Sequence, residues 1–233
     1  MNTIGRFVSD GLAVPGAAEW TKRLALKHDC KTALDVGCGA GSHLSLLRPM
    51  IKTVGVDSSP EFLDLAKKNN VHDQYICADL LKQDLTTLLP AEFGGKVDLV
   101  SLYGVIEHLP KTRGYELLEA CEKLTRKLVV LETPNGFVPQ GPEFGNEHMR
   151  HLSGWFVQDF QGLGYDVVGT TGTRYLRGYG AGLKFPYKGV GTIDVLLSRA
   201  LRADKNPNHA FNLFAYKDVR GVEARMGFSA ADI

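Results

Sequence analysis

Leu34-Asp35-Val36-Gly37-Cys38-Gly39-Ala40-Gly41 decides how this chain folds: an apolar run enters a glycine-rich turn without a spacer, and a helical pattern through Leu44, Leu47 and Met50 follows. Strand, glycine turn and helix in that order open a doubly wound sheet, because glycines let the backbone turn sharply and approach a ligand where a Cβ would obstruct it. The next strand-like run ends at Val54-Gly55-Val56-Asp57. That places a carboxylate about twenty residues beyond the loop, where such a fold hydrogen-bonds both hydroxyls of a ribose. Together the two features predict a nucleoside-containing ligand. The dinucleotide spacing G-x-G-x-x-G would need glycine at position 42, but the chain has Ser42 with glycine one residue earlier, so the loop does not fit a pyrophosphate.

Outward from this stretch, β-branched or apolar runs alternate with helical patterns. The runs are Thr32 to Val36, Thr53 to Val56, Gln74 to Cys77, Val97 to Leu102 and Lys127 to Leu131. Alternation of this kind builds a parallel sheet from right-handed crossover units. Pro60 behind Ser59 predicts a capped helix start, with Phe62, Leu65 and Ala66 on one face. Gly114 to Leu124 predicts another helix through Leu117, Leu118 and Cys121. Beyond Pro134, Pro139 and Pro142, Leu152, Phe156, Phe160 and Leu163 recur at helical spacing, and a strand at Asp166 to Gly169 follows. An amphipathic helix carries Ile193, Leu196, Leu197, Ala200 and Leu201, and Ala210 to Tyr216 reads as a last strand.

At 233 residues with 44% hydrophobic and 23% charged side chains, the chain has material for one sizeable core. A formal charge of +1 supplies no global field for duplex DNA. Cys30, Cys38, Cys77 and Cys121 form no C-x-x-C pair, which fits a reducing cytoplasm. The first residues lack an apolar leader core, and no run of apolar residues is long enough to span a membrane.

The glycine loop resembles the first motif of the class I S-adenosylmethionine-dependent methyltransferases, an acidic residue followed by G-x-G-x-G, matched by Asp35, Gly37, Gly39 and Gly41. The likeness covers roughly residues 30–135 and extends to the fourth-strand string Val105-Ile106-Glu107-His108-Leu109-Pro110. The resemblance implies a mostly parallel seven-stranded sheet with helices on both faces and an antiparallel last strand. It also implies that the loop, Cys38 included, wraps the amino-acid end of S-adenosylmethionine. Asp57 and the adjoining Ser58 would meet the ribose, Asp79 and Leu80 the adenine, and Tyr103 the methionine portion.

Methyl transfer from a sulfonium is an in-line displacement, so the protein must mainly hold the acceptor close and aligned in a site cleared of water. A hydroxyl acceptor also needs a base, most often histidine. The candidates are His108, His148 and His151, with His148 favoured because it lies in the connection after the fifth strand, just ahead of the helix with Trp155. Glu107, His108 and His148 or His151 also look like the divalent-cation ligands of small-RNA 2′-O-methyltransferases and ubiquinone-pathway O-methyltransferases. Those enzymes carry a Glu-x-x-Glu-His run. Here Gly104 replaces its first glutamate, the set is one carboxylate short, and no metal is assigned.

The segment from Gly172 to Gly191 holds Arg174, Arg177, Lys184 and Lys188 with no acidic residue, interleaved with Tyr175, Tyr179, Phe185 and Tyr187. Cations among flat rings suit an anionic acceptor or an anionic membrane surface. The expectation is one methyltransferase domain over 1–233, with segments 136–164 and 172–207 on the substrate side and a small-molecule acceptor methylated at oxygen. Metal-assisted 2′-O-methylation of RNA, or a cofactor-binding partner without chemistry, are the rival readings.

Overall fold

The structure, a computed structural model, describes residues 15–79, 82–142, 146–185 and 187–221. Leu80, expected at the adenine, lies outside the described residues. Strands β1 (Thr32–Val36), β2 (Lys52–Asp57), β3 (Gln74–Cys77), β4 (Val97–Tyr103), β5 (Thr125–Pro134), β6 (Asp166–Thr173) and β7 (Ala210–Asp218) form one sheet in the order β3-β2-β1-β4-β5-β7-β6. β1 pairs in parallel with β2 and β4, and β2 with β3. The sheet is mostly parallel with one antiparallel hairpin, a doubly wound arrangement as the loop and alternation predict.

The helices are α1 (Ala17–Lys27), α2 (Pro60–Lys68), α3 (Lys111–Leu124), α4 (Val157–Gly162) and α5 (Val190–Ala200). Every residue of β4 except Tyr103 is buried, as expected for a strand covered on both faces. At α2, the Ser59 hydroxyl accepts the Phe62 N–H at 3.2 Å, and Pro60 occupies the first turn, where a missing donor costs nothing. Its buried face is Leu63 and Ala66, while Leu65 is exposed.

Two compact units divide the chain. One comprises residues 20–105, 112–131 and 216–221, and the other 15–19, 106–111 and 132–215. Strands β5 and β7 run through both.

Besides the shift of the α2 face from Phe62, Leu65 and Ala66 to Leu63 and Ala66, three expected helical features differ. The pattern through Leu44, Leu47 and Met50 gives only a 3-10 turn, His43–Leu47. Ser42 caps it, and Pro49 excludes helical backbone at Arg48, so it cannot lengthen. Residues 151–156 are not helical. The N–H groups of Leu152 and Ser153 donate to the Glu107 carbonyl at 2.7 and 3.1 Å, which holds them out of a helix until α4 begins. α5 turns only part of its aliphatic stripe outward: Ile193 and Leu196 are 56% and 55% exposed, Leu197 and Leu201 are half-buried, and the buried positions are the polar Asp194 and Ser198.

Candidate functional site

In the first unit, β1 delivers the chain into the glycine turn, where Gly37 and Gly39 adopt φ of 66° and 56°. The N–H groups of Gly37 and Cys38 donate to the Val56 carbonyl at 2.8 and 3.0 Å, which pins the turn beside the end of β2. The glycines serve different ends. A Cβ on Gly37 would fall 2.6 Å from a Val105 methyl, so packing demands glycine there. A Cβ on Gly39 or Gly41 would meet nothing within 4 Å. Gly39 is still needed for its left-handed backbone, but Gly41 meets no obstacle in this chain, and its missing side chain leaves room for something else.

That room is a cavity of about 350 Å³ lined by Asp35, Gly37, Cys38, Gly41, Ser42, His43 and Tyr103. Its size is in the range for a bound small molecule. Asp35 is buried and accepts the Ser101 hydroxyl at 2.6 Å, with His72 Nε2 at 3.5 Å from its other oxygen. Gly55 admits His72, whose ring would clash with a Cβ at 2.4 Å. Tyr103 shares a hydrogen bond of 2.5 Å with the Thr21 hydroxyl and meets the His43 ring edge-on at 4.6 Å. Burial, with Asp35 and Asp57 nearby, pushes the Cys38 thiol well up, so it is a neutral wall group and not a nucleophile.

Asp57 faces the same loop. Its Oδ2 accepts the Gly39 N–H at 2.8 Å and its Oδ1 accepts the Ser59 N–H at 2.9 Å. A carboxylate has about four lone-pair sites, so two such bonds fix its plane and leave acceptor capacity for a diol. Ser58 follows it, half-buried. Asp79, also half-buried, pairs with Lys82 at 3.1 Å, and its N–H donates to the Gln83 side chain at 2.8 Å. Neither Asp57 nor Asp79 lines the cavity itself. Ser42 and His43 do line it and were not predicted. The helical pattern disguised their place in the loop.

In the second unit, Glu107, His108 and His151 each point one nitrogen or oxygen into a common space, all within 4.8 Å of one another. The turn Ile106–His108 is clamped from several sides. Ser153 donates its hydroxyl to the Ile106 carbonyl at 3.1 Å, and the Trp155 indole donates to Ser153 Oγ at 3.0 Å. The Lys111 ammonium lies 3.8 Å from the centre of the Trp155 ring and donates to the Gly154 carbonyl and to Asp159, each at 2.7 Å.

Burial pushes the Glu107 carboxyl up to about 7, against hydrogen bonds from its own backbone and from the Thr133 hydroxyl, 2.9 Å away. His108 is pushed down by burial and then by His151, whose ring lies edge-on at 4.7 Å. The Nδ1 atoms of His108 and His151 lie 3.2 and 2.6 Å from the carbonyls of Arg150 and Val138. An imidazole donating from Nδ1 carries its lone pair on Nε2. His148 is exposed, its backbone N–H held by Asn146 at 2.9 Å, and does not belong to this group. One carboxylate with two imidazoles suits a divalent cation. The same atoms suit proton transfer.

Residues 33–127 match the family model described as a methyltransferase domain. Among solved structures, the plantazolicin methyltransferase BpumL in complex with SAH shares 19% identity, covers 86% of this chain and 81% of its own, and has a TM-score of 0.50. The DhpI–SAH complex shares 14% identity over 86% and 81% of the two chains, with a TM-score of 0.51. At these identities the likeness is one of fold. No curated protein matches the chain by sequence.

Proposed function

We propose that this chain, whose residues 33–127 match a methyltransferase domain, is a class I S-adenosylmethionine-dependent methyltransferase that methylates an oxygen of a small-molecule acceptor with His108 taking the hydroxyl proton. When bound, the cofactor supplies a methyl group activated by its sulfonium. The chain's own residues do the rest. Gly39 and Gly41 leave the backbone bare on the cofactor's side, and Asp57, oriented by two backbone N–H groups, accepts from the sugar hydroxyls. Asp79 serves the adenine and Tyr103 the methionine portion.

The observation that carries the acceptor chemistry is the meeting of His108 with His151 and Glu107. Burial, and then the neighbouring imidazole, disfavour the protonated form of His108, and the Arg150 carbonyl beside its Nδ1 favours the tautomer whose lone pair is on Nε2. A neutral imidazole so oriented is a competent base. The exposed His148 lacks both the burial and the fixed ring. Transfer of labelled methyl from S-adenosylmethionine to a panel of hydroxylated acceptors tests this reading. Turnover that survives His108→Ala unchanged would refute it.

The same three side chains support a second reading, in which Glu107, His108 and His151 hold a divalent cation that lowers the pKa of the acceptor hydroxyl, as in 2′-O-methylation of RNA. The glutamate that would complete the family's ligand run is Gly104 here. Chelation followed by re-addition of magnesium or manganese separates the two readings.

A further inference from the structure

α5 buries two polar side chains fully, keeps Leu197 and Leu201 half-buried, and leaves other aliphatic side chains outside. A helix covering a sheet normally buries its aliphatic stripe. In α5 the buried positions are Asp194 and Ser198. The Asp194 carboxylate accepts from the Arg177 guanidinium at 2.7 Å and from the Thr173 N–H and hydroxyl at 2.8 and 2.9 Å, and Ser198 donates to the Asp194 carbonyl at 2.7 Å. This satisfied polar seam fixes the helix on its inner side and commits Ile193, Leu196 and Ala200, one helical stripe, to the outside. The chain entering α5 behaves alike: Phe185 and Tyr187 are 53% and 75% exposed, and Tyr179 is 56% exposed. Single exposed apolar residues are ordinary, but a run of large ones on consecutive elements marks an interaction surface.

The charge around it is one-sided. Arg177 is neutralised by Asp194, and Lys184 donates to the carbonyls of Arg174 and Tyr175. Arg174, Lys188, Arg199 and Arg202 are exposed, and no salt bridge to them occurs among the described residues. From Gly172 to Lys205 the only acids are the buried Asp194 and the half-buried Asp204. In a chain whose total charge is +1, this is a local concentration of positive charge.

We propose that the 174–202 surface docks on an anionic lipid bilayer, with α5 lying along the interface. Aliphatic side chains on an outward helix face, rings that settle at headgroup depth and flanking cations are the three elements of interfacial binding. A second copy of the chain fits poorly, since a two-fold contact would set these cations against their own duplicates. Single-stranded RNA would use the cations and rings but gains nothing from Ile193 and Leu196. No helix among the described residues is long and apolar enough to cross a membrane, so this contact is along the surface.

The test is flotation of the full chain with vesicles of phosphatidylcholine alone or with about a third phosphatidylglycerol. The expected result is binding to the anionic vesicles only, weakened by salt. The double variant I193D/L196D should bind at least about tenfold more weakly, and K188E or R199E each about fivefold, with melting temperatures unchanged because all four side chains are exposed. Equal binding to both vesicle types, no binding to either, or anionic binding untouched by these variants would overturn the proposal. So would a single-stranded RNA that displaces the vesicles while I193D/L196D leaves its binding intact, or a dimer dissociated by L196D. None of these readouts depends on methyl transfer.

Discussion

Gly39 donates its backbone N–H to Oδ2 of Asp57 at 2.8 Å, tying the glycine turn after β1 to the carboxylate that ends β2. One bond thereby orients two parts of the proposed nucleoside site at once. The carboxylate cannot rotate without releasing the loop, and the loop cannot shift without turning the carboxylate. Ser59 holds the other oxygen, so the group is organised before any ligand arrives, which reduces the ordering cost of binding.

The loop glycines should separate into fold and ligand roles. Gly37→Ala places a methyl 2.6 Å from Val105 at φ of 66°. It should cost about 1–3 kcal/mol of stability from strain and overpacking. A denaturant titration measures this, and a midpoint equal to wild type would show that the turn relaxes freely.

His108→Ala should slow methyl transfer by roughly 10²–10⁴-fold while leaving affinity for S-adenosylhomocysteine nearly unchanged. His148→Ala should leave turnover close to wild type. Single-turnover rates with saturating cofactor decide between them, and the reverse ranking would move the base to His148.

Chelation should not abolish turnover if His108 acts as a simple base. Loss on adding a chelator, with recovery on magnesium or manganese, would instead establish the cation reading of Glu107, His108 and His151.

Asp194→Asn should destabilise the chain by about 3 kcal/mol, because it leaves Arg177 facing a neutral buried group and weakens the acceptor for Thr173. Thermal unfolding with and without the substitution gives the value, and a change below about 0.5 kcal/mol would mean that the seam under α5 is not structural.

Strands were readable because a buried parallel strand needs an apolar run whatever it pairs with, and β1 and β3 begin and end at the expected residues. The glycine loop and Asp57 were readable for a similar reason, since a left-handed turn and a strand-end carboxylate leave local marks. Helix faces were harder. The periodicity of Ile193, Leu196 and Ala200 marks an aliphatic stripe but not its direction, which is set by Arg177 bonding to Asp194 from a different element. Likewise Leu152 has helical spacing to Phe156, yet its N–H is taken by the Glu107 carbonyl, a contact no local pattern contains. The same long-range contact explains the histidines. The sequence offered three in the acceptor region, and only the path of residues 150–155 over the 106–111 turn places His151 with His108.

The most direct measurement is calorimetry with S-adenosylhomocysteine on the wild-type chain and on Gly41→Val. A Cβ added at Gly41 meets no protein atom within 4 Å apart from its chain neighbours, and Gly41 lines the cavity, so the bulk of a valine there competes with a ligand more than with the fold. The expected result is one binding site in the wild type and binding lost in the variant, with melting temperature unchanged in the absence of ligand. No heat from the wild type, or equal affinity in the variant, would contradict it.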